Sequence, residues 1–300
     1  MEEKKKSNKG LICLVVILLL AVLGLGGYIL VDKDIIKLKK EEKKTEEKVE
    51  PKEVELDPES EEVVSLMKKA LGVDDYSVFS TCTSNLNVYR KGFDINSVEN
   101  ADLDILVTHY IASVSSKDQP YYEKKEIDLG TGSEAPAGSY GTLKNETYKN
   151  YVLEYFGPKY KFEIPKEGYE FNSHLSCGIY RYSKEYDCYL NISACGGICP
   201  DMYINKLDKA VKNSTEDSIV VDFYSFVLIN DTENGGSYLR NDIESTDNIA
   251  YYNSDEHVYD TMQNQKDEIF AQYKDKAARY QFTFKKDGDN YYINKVEKIA

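Results

Sequence analysis

The chain has no tryptophan, three histidines (His109, His174 and His257) and four arginines (Arg90, Arg181, Arg240 and Arg279). With so few histidines, neither H-E-x-x-H nor H-x-H occurs, which excludes the local motifs of zinc hydrolases. G-x-S-x-G, Walker A and G-x-G-x-x-G are missing as well. Gly130-Thr-Gly-Ser133 lacks the lysine of a phosphate loop. No catalytic residue, cofactor-binding pattern or metal set is singled out. An enzyme with a dispersed site stays open, because such a site leaves no local motif.

Long uncharged runs are lacking too, with one exception. Leu11 to Val31 is a stretch of 21 residues without a charge. As a helix it spans about 31 Å, close to the ~30 Å hydrocarbon core of a bilayer. It reads as a retained transmembrane helix behind a cytoplasmic tail of residues 1–10, with the lipid bilayer as its partner. A cleavable signal peptide has a shorter apolar region, usually about 7–15 residues. Here the run continues through Tyr28, Ile29, Leu30 and Val31. It holds no strongly polar residue, so nothing points to a channel or relay. Cys13 sits at the start of the run after Gly-Leu-Ile, without the small neighbour of a lipoprotein cysteine.

Orientation is argued from several sides. Lys4, Lys5, Lys6 and Lys9 precede the span, and seven lysines between Lys33 and Lys48 follow it. The short tail and the ease with which long domains translocate favour a cytoplasmic N-terminus and an extracellular C-terminal domain. Residues 32–58 are densely charged in both signs and poor in large apolar groups, so a solvated linker is expected.

Residues 59–300 carry 26 Lys+Arg against 40 Asp+Glu. Such an acidic domain repels nucleic acid, and no nucleic-acid partner is expected. Helices are expected over 59–71, from Asn96 or Ser97 with the stripe Leu103, Leu106, Val107, Tyr110, Ile111 and Val114, over 147–156, and over 264–277. Gly72 and Gly157-Pro158 stop the first and third. Strands dominate later: Tyr160/Phe162/Ile164 alternate, 177–182 and 186–192 form a hairpin around Ser183-Lys184, and 218–229 is a central strand. A closing hairpin, 279–285 and 291–298, turns at Asp287-Gly288. The expected class is α+β, with helices packed on a mainly antiparallel sheet. Its parts are a mainly helical subregion 59–129, a flexible loop 130–141 rich in small residues, and an α+β domain 142–300. No internal repeat is present.

Cys177, Cys188, Cys195 and Cys199 cluster within 23 residues, while Cys82 stands apart. Outside the cytoplasm these four are candidate disulfide partners. Cys177 and Cys188 lie on facing arms of the expected hairpin, and Cys195-Gly-Gly-Ile-Cys199 closes a tight loop, leaving Cys82 over. Unpaired thiols are the next reading, and metal binding by the same cysteines, with His174, and redox chemistry are weaker alternatives. The spacing between Cys177 and Cys188 is too long for a zinc pair, and C-x-x-x-C is not C-x-x-C. Asp102 and Asp104 flank Leu103 and are read as solvated. Asp287-Gly-Asp-Asn290 is read as a β-turn rather than a calcium loop. The 26 tyrosines are read mainly as core filling, with an exposed aromatic row as the alternative.

Abundant Tyr, Lys, Asn and Ile have AT-rich codons. Lys4-Lys5-Lys6, the apolar run, the Lys/Glu linker and the ending Tyr280-Gln-Phe-Thr-Phe284…Tyr291-Tyr292-Ile293…Val296-Glu297 together resemble uncharacterised membrane-anchored extracytoplasmic proteins of low-GC Gram-positive-type bacteria. The ending also looks like the last hairpin of cystatin-like or NTF2-like domains. The resemblance covers the layout of the chain and carries over no functional residue. The anchor, the linker and the lack of catalytic groups point to a tethered binding or assembly domain with an envelope protein or wall-polymer partner; the alternatives are an envelope enzyme acting on wall polymer or peptide, and a structural spacer.

Overall fold

The computed structural model describes residues 53–114, 123–127, 138–172, 179–193, 199–253 and 258–299. The chain divides into Met1–Glu50, which lies outside the described residues, and Pro51–Ala300, to which everything below refers. The expected transmembrane helix 11–31 therefore falls outside the description. Among the described residues, no helix is long and apolar enough to cross a membrane.

The described part is α+β and built on two antiparallel sheets. In the larger, of nine strands, β1 (Glu53–Leu56), β9 (Met202–Asn213), β10 (Ser218–Asp231), β13 (Ala278–Asp287), β14 (Asn290–Lys298) and β3 (Phe93–Asp94) run in that order. β2 (Val78–Ser80) adds to β9, while β11 (Gly236–Arg240) and β12 (Ala250–Tyr252) extend from β10. The smaller sheet has the order β4 (Glu123–Ile127), β5 (Gly138–Lys144), β8 (Cys188–Ser193), β7 (Ile179–Ser183) and β6 (Glu170–Asn172).

β10 is the expected central strand, and its composition explains its two halves. Ile219, Val221 and Phe223 face the main core, while Val220, Asp222 and Tyr224 alternate with them on the other, more polar face. Further on, Val227 stays in the main core and Phe226 and Leu228 enter a second one. Both faces are covered there, so the sequence becomes continuously apolar. The second core forms where α5 (Val258–Tyr273) lays Ile269 and Phe270 against Ile204, Phe226 and Leu239.

The main core is closed by further helices. α1 (Glu61–Leu71) buries Val63, Met67, Ala70 and Leu71, with acids in its first turn and lysines in its last, as the helix dipole favours. Gly72 ends it at φ 66° and donates back to the carbonyls of Lys68 and Lys69. A Cβ there would also lie 3.1 Å from Asn85 Nδ2 and from His109, so both conformation and space require glycine. After the short α2 (Leu86–Tyr89), α3 (Asn100–Val114) and α4 (Asn145–Phe156) complete the layer.

Several expectations change. The linker does not extend to Pro58, because Glu53–Leu56 pairs with Ala210–Asn213 as an edge strand. The loop 130–141 gives way to β5 from Gly138, its remainder lying outside the described residues. The helical subregion is not separate. β2 and β3 join the large sheet, and a single core holds residues from Val63 of α1 to Val296 of β14. Tyr160, Phe162 and Ile164 do not form a strand. They lie on a loop, where Tyr160 and Phe162 pack against the core and Ile164 is 62 % exposed. Their alternation is therefore not that of a paired strand.

Candidate functional site

A cavity of about 510 Å³ opens between α3, α4, the loop 157–169 and β8. The local sequence explains each wall. α4 runs at its C-terminal end into Gly157, whose φ of 103° ends the helix and starts a turn closed by Tyr160 N–H donating to the Gly157 carbonyl. That loop brings Tyr160, Phe162 and Tyr169 over the cavity, opposite Tyr148 and Phe156 of α4 and Tyr189 of β8. The rings also hold one another: Tyr148 packs on Tyr189 with centroids 4.4 Å apart, and Phe156 on Tyr160 at 5.0 Å.

Asp104 of α3 lies at the floor. Tyr169 donates its hydroxyl to Oδ2 at 2.7 Å, and Tyr148 donates to Oδ1. Burial pushes the carboxyl up to about 6, against the pull of these two hydrogen bonds, which favour the charged form. Desolvation is therefore the larger effect. The tyrosines respond in the same sense. Burial, together with the adjacent carboxylate, holds the Tyr148 and Tyr169 hydroxyls well above the usual phenol range, so both stay protonated donors. Lys161, Glu163 and Lys166 stand exposed around the mouth.

The position of Asp104 corrects its reading as a solvated group. The helical period carries the signal. At 3.6 residues per turn Asp104 lies only about 20° around α3 from Ile111, on the flank of the apolar stripe and not opposite it. Val114, expected inside the stripe, is 49 % exposed, and Ile105, expected outside it, is buried.

A second polar cluster sits deeper on the same two helices. Asn85 Nδ2 lies 2.9 Å from the Ala70 carbonyl, 3.1 Å from that of Leu106 and 3.0 Å from the Tyr155 hydroxyl. His109 Nδ1 is 3.0 Å from Asn85 Oδ1. An amide oxygen only accepts, so Nδ1 carries the hydrogen. Tyr155 donates to Ala70 O at 2.6 Å and lies 2.7 Å from the Tyr89 hydroxyl. All four side chains are buried, and His109 packs inside the fold.

The cysteines are paired differently from expectation. Cys82 and Cys199 form a disulfide across 117 residues, with a Cα–Cα distance of 6.0 Å. The reason is the β2–β9 ladder, which pairs Val78 with Ile204 and Ser80 with Met202. Continued by two residues, that register brings Cys82 level with Pro200, next to Cys199. Cys82 is thus not left over, and no Cys195–Cys199 bond closes the loop. Cys188 carries a free, buried thiol packed with Ile127 and Leu190, and burial raises its pKa. The expected hairpin bond to Cys177 fails because the turn is Lys184–Asp187, which sets Cys188 opposite Ser183 at the closed end. Cys177, Cys195, His174 and His257 lie outside the described residues. Among the described residues no group of three or more His, Cys, Asp or Glu is placed to hold a metal ion.

Tyrosine fills the core at Tyr89, Tyr148, Tyr155, Tyr182 and Tyr189. In the Tyr251-Tyr252 pair, Tyr251 is exposed and Tyr252 packs on the second core. Asp287 pairs with Asn290 across the closing turn and also holds Lys159 at 2.6 Å. No family model, curated protein or solved structure matches the chain.

Proposed function

We propose that the chain is a membrane-tethered extracytoplasmic domain that binds a small ligand, or one group of a larger envelope partner, in the cavity over Asp104. The cavity carries this reading. Its 510 Å³ falls in the range of about 300–1,000 Å³ usual for ligand sites, and most residues lining it are aliphatic or aromatic, with Asn100 and Asp104 from α3 and the rim charges Lys161, Glu163 and Lys166 as its polar groups. The Cys82–Cys199 disulfide supports an oxidising compartment. The apolar run 11–31 supplies the anchor. A structural spacer has no use for such a cavity.

Placement is tested with an impermeant maleimide on intact cells, using the full chain with Cys177→Ser and Cys195→Ser. Labelling that appears only after an impermeant reductant opens Cys82–Cys199 supports the reading. Labelling that requires permeabilised cells overturns it. Binding is tested separately by crosslinking on cells: the native chain returns a reproducible envelope partner, and Val152→Trp, which fills the cavity, loses it.

A second reading, an envelope enzyme, is favoured by one observation. A carboxyl pushed up to about 6 both gives and takes protons near neutrality. Hydrolysis of wall fragments by the purified full chain, abolished by Asp104→Asn, would establish it.

A further inference from the structure

We infer that the group bound in this cavity is an organic ammonium cation, seated on the Asp104 carboxylate and enclosed by the rings of Tyr148, Tyr160, Phe162 and Tyr169. The inference rests on the binding reading above and adds the ligand's chemistry.

The floor decides the sign of the ligand. Tyr148 and Tyr169 both direct their hydroxyl hydrogens to Asp104. What remains there is a set of acceptor lone pairs and a negative charge. An anion finds no donor from these three groups. A sugar hydroxyl bound at this floor needs donors as well as acceptors, and the hydrogens of Tyr148 and Tyr169 are already committed to Asp104. A hard metal ion takes about six to eight oxygen ligands, whereas a single carboxylate stands at this floor, ringed by aromatic and aliphatic side chains. An organic ammonium meets both surfaces. Its charge pairs with the carboxylate, and its carbon groups lie against aromatic faces whose quadrupole attracts cations. The exposed rim, with Lys161 and Lys166 against Glu163, carries a net charge of +1, but these groups stand in solvent, where screening weakens them relative to the buried carboxylate.

The test is calorimetric titration of the full chain in detergent, at pH 7.5, with choline, its neutral isostere 3,3-dimethyl-1-butanol, and butyrate. Choline is expected to bind at least about tenfold more tightly than either other probe, in line with a charge contact worth more than ~1.4 kcal/mol. Asp104→Asn keeps the shape and should remove that preference. Phe162→Leu keeps the charge and thins the aromatic wall, so choline should weaken by about three- to tenfold while the alcohol changes less. Cooperative thermal unfolding of both variants separates lost binding from lost folding. Choline affinity should also fall as pH drops through about 6, where Asp104 takes a proton. The groups facing it are Tyr148 from α4, Tyr160 and Tyr169 from the loop and Tyr189 from β8, with Lys161, Glu163 and Lys166 at the rim.

Equal binding of the neutral isostere, unchanged choline affinity in Asp104→Asn, or no choline binding overturns the inference. The binding-domain reading falls on a different result, the absence of any cavity-dependent partner in the crosslinking experiment.

Discussion

Helices α3 and α4 carry two polar clusters of similar make-up and opposite character. Tyr155 and Tyr148 are seven residues apart on one face of α4, and each hydroxyl meets a polar group tied to α3. Around Tyr155 the cluster is closed: Asn85, His109 and Tyr89 are buried, and their partners include the carbonyls of Ala70 and Leu106. Around Tyr148 it is open: Asp104 is ionisable, and a cavity lies above it. A buried hydrogen-bonded network fixes a core, whereas a desolvated carboxylate facing a cavity costs stability and is worth keeping for binding. Perturbing each cluster in turn separates the two roles.

The largest effect is expected from the closed cluster. Asn85→Ala removes the partner of His109 Nδ1 and one donor each to the Ala70 and Leu106 carbonyls and the Tyr155 hydroxyl, and should cost about 3 kcal/mol in urea unfolding, with little effect on choline binding. A loss below about 1 kcal/mol would mean the network is not a structural lock.

Reduction of Cys82–Cys199 comes next, at about 2–4 kcal/mol for a disulfide of this kind. Segment 81–90 carries Asn85, so hydrogen exchange should rise there before it rises in 148–162. Equal loosening of both regions would break the distinction.

Asp104→Asn should act with the opposite sign. In the folded chain the carboxyl holds its proton up to about 6, while an ordinary carboxyl releases it near 3.8. Between those values the native state binds more protons than the unfolded one, so stability falls as pH rises through that window. At pH 7.5 the loss is complete, and the neutral variant should be more stable than the native chain by about 1–2 kcal/mol, after discounting for partial exposure. At pH 4 or below the advantage should vanish. Thermal unfolding across pH gives the answer, and an advantage independent of pH would refute the desolvation argument.

Tyr169→Phe should have the smallest effect, less than about 1 kcal/mol on stability. By removing one donor it should raise the Asp104 pKa further, visible as an upward shift in the pH midpoint for choline binding.

Much of the fold is legible in the sequence. α1 stops at Gly72 as expected, α3 and α4 fall on the expected periodic segments, and β10, β13 and β14 match the central strand and closing hairpin. α5 begins at Val258, earlier than Asn264, because its first turns carry little apolar period to read. The site is less legible. The immediate neighbours of Asp104 suggest a solvated group, and the alternation along 160–164 suggests a strand. Neither pattern reports what stands across from a residue, and that is what decides both cases.

The sequence by itself determined the apolar run 11–31, the acidic balance, the main helices and strands, and the glycines that end them. These depend on periodicity and backbone geometry within a few residues. Tertiary structure alone decided that Cys82 meets Cys199, that Cys188 stays a thiol, and that Asp104 loses water among six aromatic rings. A disulfide depends on two α-carbons coming within about 7 Å, and a carboxyl's pKa on the medium around it. Both are properties of chain segments far apart in sequence, brought together by the β2–β9 ladder and by the packing of α3, α4 and β8.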